Sequence, residues 1–129
     1  MGLTFDTGAL IALERSHHHM RKVVDAAFAL DVRIVVPAVV VAEWWRAGIR
    51  EKERAKILRA VEVELVTDYV VRLVGEALSL VSGVQTIDAL VMASASLRED
   101  EVVYTSDPKD LEALRAAVPR FSQIAIDRV

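Results

Sequence analysis

Four carboxylates in this chain stand where an acid is expensive. Asp6 ends the apolar run Leu3-Thr4-Phe5. Glu43 interrupts "VVPAVVVAEWWRAG", a segment otherwise of Val, Ala and Trp. Asp88 falls in the first turn of the apolar stretch "TIDALVMASA", and Asp107 follows the Val-rich run "EVVYTS". A desolvated carboxylate is costly unless something pairs with it. Each of the four has a local account. Asp88 complements a helix macrodipole, Asp107 caps a helix that starts at Pro108, and Asp6 accepts from the N–H groups of the helix behind it. Glu43 has the weakest one, a solvent-facing stripe or ion pair with Arg46 and Arg50 at i+3 and i+7. Taken jointly the four suggest a cluster. Clustered carboxylates raise one another's pKa values unless a cation sits among them. With no cysteine and no HxxxH pair, zinc is not the expected ion. An oxygen-liganded Mg²⁺ or Mn²⁺ is, since Mg²⁺ takes one or two carboxylates and keeps several waters. Such an ion suits phosphodiester hydrolysis, where it polarises the phosphoryl group, generates hydroxide and stabilises the leaving oxygen.

The elements that must position these acids can be read from periodicity and punctuation. Residues 2–6 predict a short buried strand, with Thr7 capping the helix that follows. A helix is expected over 19–31 and a second strand at "RIVV", 33–36. Pro37 suits the first turn of a third helix, 37–48, ended by Gly48. Residues 51–61 form a charged amphipathic helix and "VELVT", 63–67, a third strand. Asp68 caps a helix at 69–81 and Thr86 one at 87–99. A fourth strand at 101–106, a helix at 108–117 and a fifth strand at 122–126 complete the chain. The strand cores are continuous and Val-rich, as expected when both faces of a sheet are covered. Strands alternating with helices imply a three-layer α/β fold with a central, mostly parallel five-stranded sheet. Its functional crevice should lie beyond the carboxyl ends of the strands, where Asp6 and Asp107 fall.

Composition narrows the field. The 129 residues suit one domain, 1–129, and 53% are hydrophobic. No apolar stretch is long enough to span a bilayer, no signal peptide is recognisable, and the absence of cysteine fits a reducing cytoplasm. A net charge of −3 is not the footprint of a protein that coats nucleic acid. Any nucleic-acid chemistry must sit in a small, cation-neutralised site.

The segments "FDTGALIAL", "VVPAVVVAEWWR", "TIDALVMASA" and "VVYTSDPKDL", in order along the whole chain, resemble the PIN-domain proteins, specifically the VapC-type ribonuclease toxins of toxin–antitoxin pairs. The resemblance implies a PIN-like fold in which the metal-binding acids are Asp6, Glu43, Asp88 and Asp107. Asp110 matches a second acid of the last loop, and Thr7 and Thr105 match hydroxyl positions near the metal. It implies Mg²⁺- or Mn²⁺-dependent endoribonuclease activity on RNA, a homodimer, and a protein antitoxin that lays a helix across the toxin and pushes a basic side chain into the acidic pocket. Two departures stand out. Gly8 occupies a position where Ser is commoner, and "TSD" replaces "TRN" or "TRD", removing a positive charge.

Other features are weaker. The three histidines of "SHHHM", 16–20, point in different directions on a helix and cannot chelate one ion; an exposed loop or helix start is expected. One of Trp44 and Trp45 should be core and the other exposed, marking a partner surface. Arg46 and Arg50 are candidate phosphate contacts, against a solvated ion-pair stripe. The basic residues of 50–59 read as a solvated face. Two other functions stand beside the nuclease. One is an aspartyl-phosphate phosphatase of the haloacid-dehalogenase type, although Gly8 stands where that chemistry wants a second acid. The other is a non-catalytic binding module whose acids recognise a basic partner.

Overall fold

The computed structural model describes residues 2–45, 50–100 and 102–129. Five strands are described: β1 Gly2–Phe5, β2 Arg33–Pro37, β3 Glu62–Glu64, β4 Val102–Thr105 and β5 Ala125–Arg128. They form one sheet in the order β3-β2-β1-β4-β5, and every pairing is parallel. The helices in between are α1 Thr7–Glu14, α2 His18–Ala29, α3 Ala38–Trp44, α4 Glu51–Ala60, α5 Asp68–Leu80, α6 Thr86–Arg98 and α7 Pro108–Ala117. This is the expected three-layer α/β arrangement.

The order explains where a site can form. From β1 the chain moves one way to β2 and β3, then returns past β1 to β4 and continues to β5. The reversal lies between β1 and β4, and the loops leaving their carboxyl ends diverge there to open a crevice. The inner strands are apolar because both faces are covered: Ile34, Val35 and Val36 of β2, Phe5 of β1 and Val103 of β4 are all buried. Phe5 and Tyr104 meet edge to face at 5.5 Å across the β1–β4 pair, an arrangement that ring quadrupoles favour. The edge strands β3 and β5 are short and carry Glu62, Glu64, Asp127 and Arg128, which discourages pairing with another sheet.

Several boundaries differ from the sequence-based expectation. Pro37 is the last residue of β2 rather than the first turn of α3, because its ψ of 141° is extended; its fixed φ suits either role. Helix α3 stops at Trp44, and Trp45 is extended, so Glu43 and Arg50 do not share a helical stripe. Gly48 and Arg46 lie outside the described residues. Asp6, not Thr7, caps α1. Thr67, not Asp68, caps α5, accepting from the Val70 N–H at 3.3 Å. Gln85 precedes α6, with Thr86 already helical. The third strand is only Glu62–Glu64. The fifth is Ala125–Arg128, because a 3-10 turn at Pro119–Phe121 carries the chain on to Ile124, buried with Phe121 in the core. His17 precedes α2 without a side-chain capping bond, His18 opens the helix, and the three histidines are exposed. Trp44 is buried and Trp45 half-buried.

Two buried ionic groups brace the frame. Arg54, expected on a solvated face, pairs with Glu14 to tie α4 to α1, with side chains 8% and 7% exposed, and its guanidinium lies 5.6 Å from the Trp44 ring. Such stacking contributes a further cation–π attraction. At the end of α6, Arg98 donates to Asp100 at 2.9 Å and to Thr4 at 2.7 Å. Thr4 itself donates to Asp100 at 2.6 Å, and Glu64 lies 2.5 Å from Arg98. The network joins α6 to β1 and β3 and satisfies a threonine that would otherwise be an orphan in the sheet.

Candidate functional site

Asp6 is placed by the sheet. Its N–H continues the β1–β4 ladder to the Tyr104 carbonyl at 3.2 Å, and its side chain turns back to cap α1, accepting from the Ala9 N–H at 2.9 Å. Asp6 is only 9% exposed. Burial pushes its pKa up; hydrogen bonds from the Thr105 hydroxyl and the N–H groups of Ala9 and Gly8 oppose the shift, and Glu43 adds repulsion. Burial disfavours the charged form while donors to the charge favour it, so Asp6 is an acid held in place against its own desolvation.

Thr105 ends β4 and is buried. Besides donating to Asp6, it accepts from the Asp107 N–H at 3.1 Å, coupling the β1 and β4 loops. Asp107 caps α7, accepting from the Lys109 N–H at 3.4 Å, and is exposed. Asp110, one turn on, is half-buried. Glu43 projects from the last turn of α3 and is exposed; its carboxylate accepts a hydrogen bond from the Thr7 hydroxyl. Thr7, freed from the capping role, therefore links α1 to α3.

Asp88, in the first turn of α6, is the most perturbed of the acids. Its pKa is raised to about 6, first by burial and then by Asp110, Asp6, Glu43 and Asp107 in that order. Four other carboxylates thus act on one group, and Asp110 acts more strongly than Asp107. This answers the local macrodipole account: a helix N-terminus lowers a carboxylate's pKa, and here the neighbours and burial overcome it.

All five acids line one cleft of about 250 Å³, together with Thr7, Gly8 and Thr105. Ile11, Val40, Ile87 and Val91 form its apolar walls. No Lys, Arg or His is among the described lining residues. Among the described residues no three acidic or imidazole side chains stand close enough together to hold a metal ion between them; the five acids are spread around the cleft lining. That geometry fits a hard cation that keeps much of its water, which needs only one or two direct carboxylates. The oxygen-only donor set and the uncompensated charge on Asp88 fit it as well. Of the two arginines considered for phosphate contact, Arg46 lies outside the described residues. Arg50 precedes α4 in a left-handed conformation, exposed and outside the cleft lining.

The sequence did not draw attention to Ser106, which also lines the cleft. Its signal was position alone, between Thr105 and Asp107. Gly8 proves to be a close-approach residue: a Cβ there would lie 2.1 Å from the Ser106 hydroxyl.

The family model of the PIN domain matches residues 3–116. No curated protein sequence matches the chain. Among solved structures, the chain is similar to the DNA-bound VapBC of Salmonella typhimurium, at 16% identity and a TM-score of 0.74, covering 99% of this chain and 98% of that one. It is similar to VapBC2 of Rickettsia felis bound to a promoter DNA fragment, at 14% identity and a TM-score of 0.76, covering 100% and 99%. It is also similar to VapC20 of Mycobacterium tuberculosis, a toxin that cleaves the sarcin-ricin loop, at 16% identity and a TM-score of 0.65, covering 87% and 95%. At such identities the likeness concerns the fold.

Proposed function

This chain belongs to the PIN domain family, and from that premise we propose that it is a Mg²⁺- or Mn²⁺-dependent endoribonuclease, the toxin of a toxin–antitoxin pair. The observation that carries the reading is Asp88: it lines one cleft with four further carboxylates and no cation among the described lining residues, where burial first, and then those carboxylates, raise its pKa to about 6. Proteins do not gather unpaired acids for stability, and such perturbed groups concentrate at functional sites.

Asp6, Glu43 and Asp88, with Asp107 or Asp110, would hold the ion. Bound there, it would supply Lewis-acid polarisation of a phosphodiester and activation of a water at neutral pH. The protein's own part is orientation. Thr105 and the α1 amides hold Asp6, Thr7 holds Glu43, and the apolar walls limit water. Water attacking phosphorus in line with a departing 3′-oxygen leaves 5′-phosphate and 3′-hydroxyl ends. No side chain is set up as an activated nucleophile, so no covalent intermediate is expected.

An antitoxin partner is supported by the VapBC complexes among the structures of like fold and by a toxin–antitoxin complex from Klebsiella pneumoniae. An acidic cleft is the natural receptor for a basic side chain from that partner. A homodimer in the cytoplasm is part of the same proposal; among the described residues no helix is long and apolar enough to cross a membrane. The test is to incubate the antitoxin-free protein with a structured RNA and Mn²⁺ and to analyse the product ends. The proposal requires cleavage that EDTA stops and that leaves 5′-phosphates. Intact RNA, or 2′,3′-cyclic ends, would count against it.

A further inference from the structure

We propose that Gly8 and Ser106 form a matched pair whose contact sets the spacing of the two acid-bearing loops, and thereby how tightly the cleft holds a divalent cation. The inference rests on the metal-dependent reading above. Gly8 follows Asp6 by two residues at the start of α1, and Ser106 sits between Thr105 and Asp107. Both line the cleft. A Cβ on Gly8 would stand 2.1 Å from the Ser106 Oγ, 2.6 Å from its Cβ and 2.8 Å from its backbone nitrogen. Rotating the hydroxyl away relieves only the first of these.

The glycine is not there for its backbone. Gly83 is the described glycine with positive φ. Gly8 lies in α1, where alanine would be the better helix former. Gly75, inside α5, has nothing within 4 Å of a built Cβ. What Gly8 provides is a bare surface on which the β4–α7 loop rests. Adding one carbon must move Ser106 back by several tenths of an ångström. Ser106 cannot move alone, because Thr105 before it holds Asp6 and Asp107 after it caps α7. Mg²⁺ tolerates little deviation from near-ideal octahedral bonds of about 2.0–2.1 Å, so such a shift reaches the ion.

The two departures from the family pattern then have one cause. The serine commoner after Asp-Thr would place its Cβ in the same clash, and the small Ser106 fills the room that Gly8 leaves.

The test titrates Mn²⁺ into the full chain calorimetrically, alongside the thermal midpoint of the metal-free protein. Gly8→Ala should weaken Mn²⁺ binding about ten-fold, the scale of a lost supporting contact. Adding Ser106→Gly to Gly8→Ala should restore most of the affinity, short of the remaining contact with the backbone nitrogen. A merely structural defect at residue 8 would not be rescued at 106. Ser106→Val, which crowds the same contact from the exposed side, should weaken binding too and carries the test if Gly8→Ala does not fold. The inference is overturned if folded Gly8→Ala or Ser106→Val binds Mn²⁺ as the unaltered chain does, or if Ser106→Gly restores nothing. If the unaltered chain itself binds no Mn²⁺, the metal reading falls and takes the inference with it.

Discussion

The Thr7 hydroxyl donates to the Glu43 carboxylate, joining the first turn of α1 to the last turn of α3. It is the described side-chain hydrogen bond that orients Glu43, which is otherwise exposed at the end of a seven-residue helix. Thr7→Val keeps the shape and removes the donor. We expect Mn²⁺ affinity to fall by about ten-fold, in the range typical of lost partners of metal ligands, with little change in thermal midpoint. Titration calorimetry on the variant and the parent decides it. A Glu43 that needs no orienting would leave affinity unchanged.

Asp88 gives a prediction in pH. Its pKa rises from 3.8 to about 6 on folding, so between those values the folded state binds more protons than the unfolded one. Stability of the metal-free protein therefore declines as pH rises from about 4 to 6; Asp6 shifts in the same direction. At pH 7 the ionised Asp88 is a net cost. Asp88→Asn should stabilise the metal-free protein by roughly 1 kcal/mol once solvent screening of a half-exposed group is allowed for. Urea melts at pH 7 and pH 4.5 check both parts, and the gain should shrink to about a third at the lower pH.

Protons and the cation compete for the same oxygen atoms. Mn²⁺ affinity should be level above pH 7 and fall through the Asp88 titration near pH 6, by about ten-fold per unit for each proton displaced. Calorimetry across pH 5–8 measures it. An affinity flat down to pH 5 would separate Asp88 from the ion.

Asp100 answers Arg98 and Thr4 where all three are shielded from water. Asp100→Ala leaves a buried guanidinium with less than its full set of partners, a loss of about 3 kcal/mol. The expected result is a lower urea midpoint with an unchanged slope. A loss under about 0.5 kcal/mol would mark the network as a surface pair in energetic terms.

Much of the frame was legible because the signals were local. Val-rich runs marked β1, β2 and β4, and alternation with amphipathic stretches implied a parallel sheet. The acids were legible for the opposite reason, since Asp6, Glu43 and Asp88 each break an apolar pattern. What escaped depended on distant partners. Arg54 and Asp100 sit in charged stretches, "EKERAK" and "REDEV", and read as surface; only Glu14 and Thr4, distant in sequence, make them interior. The β5 boundary moved because the turn at Pro119–Phe121 buries Ile124 outside the sheet, and an apolar residue in such a turn looks like a strand residue. Gly8 looked like a missing acid or serine, and its meaning lay in Ser106.

In the proposed reaction these acids act as one set that would hold the cation for RNA hydrolysis. The most direct measurement is the initial rate of RNA cleavage against Mn²⁺ concentration for the antitoxin-free protein, Asp6→Asn and Asp88→Asn. The expected result is a saturable rate for the unaltered chain, abolished by EDTA, and a loss of at least about 100-fold in each variant at every Mn²⁺ concentration. Variants that cleave at the parent rate would contradict it.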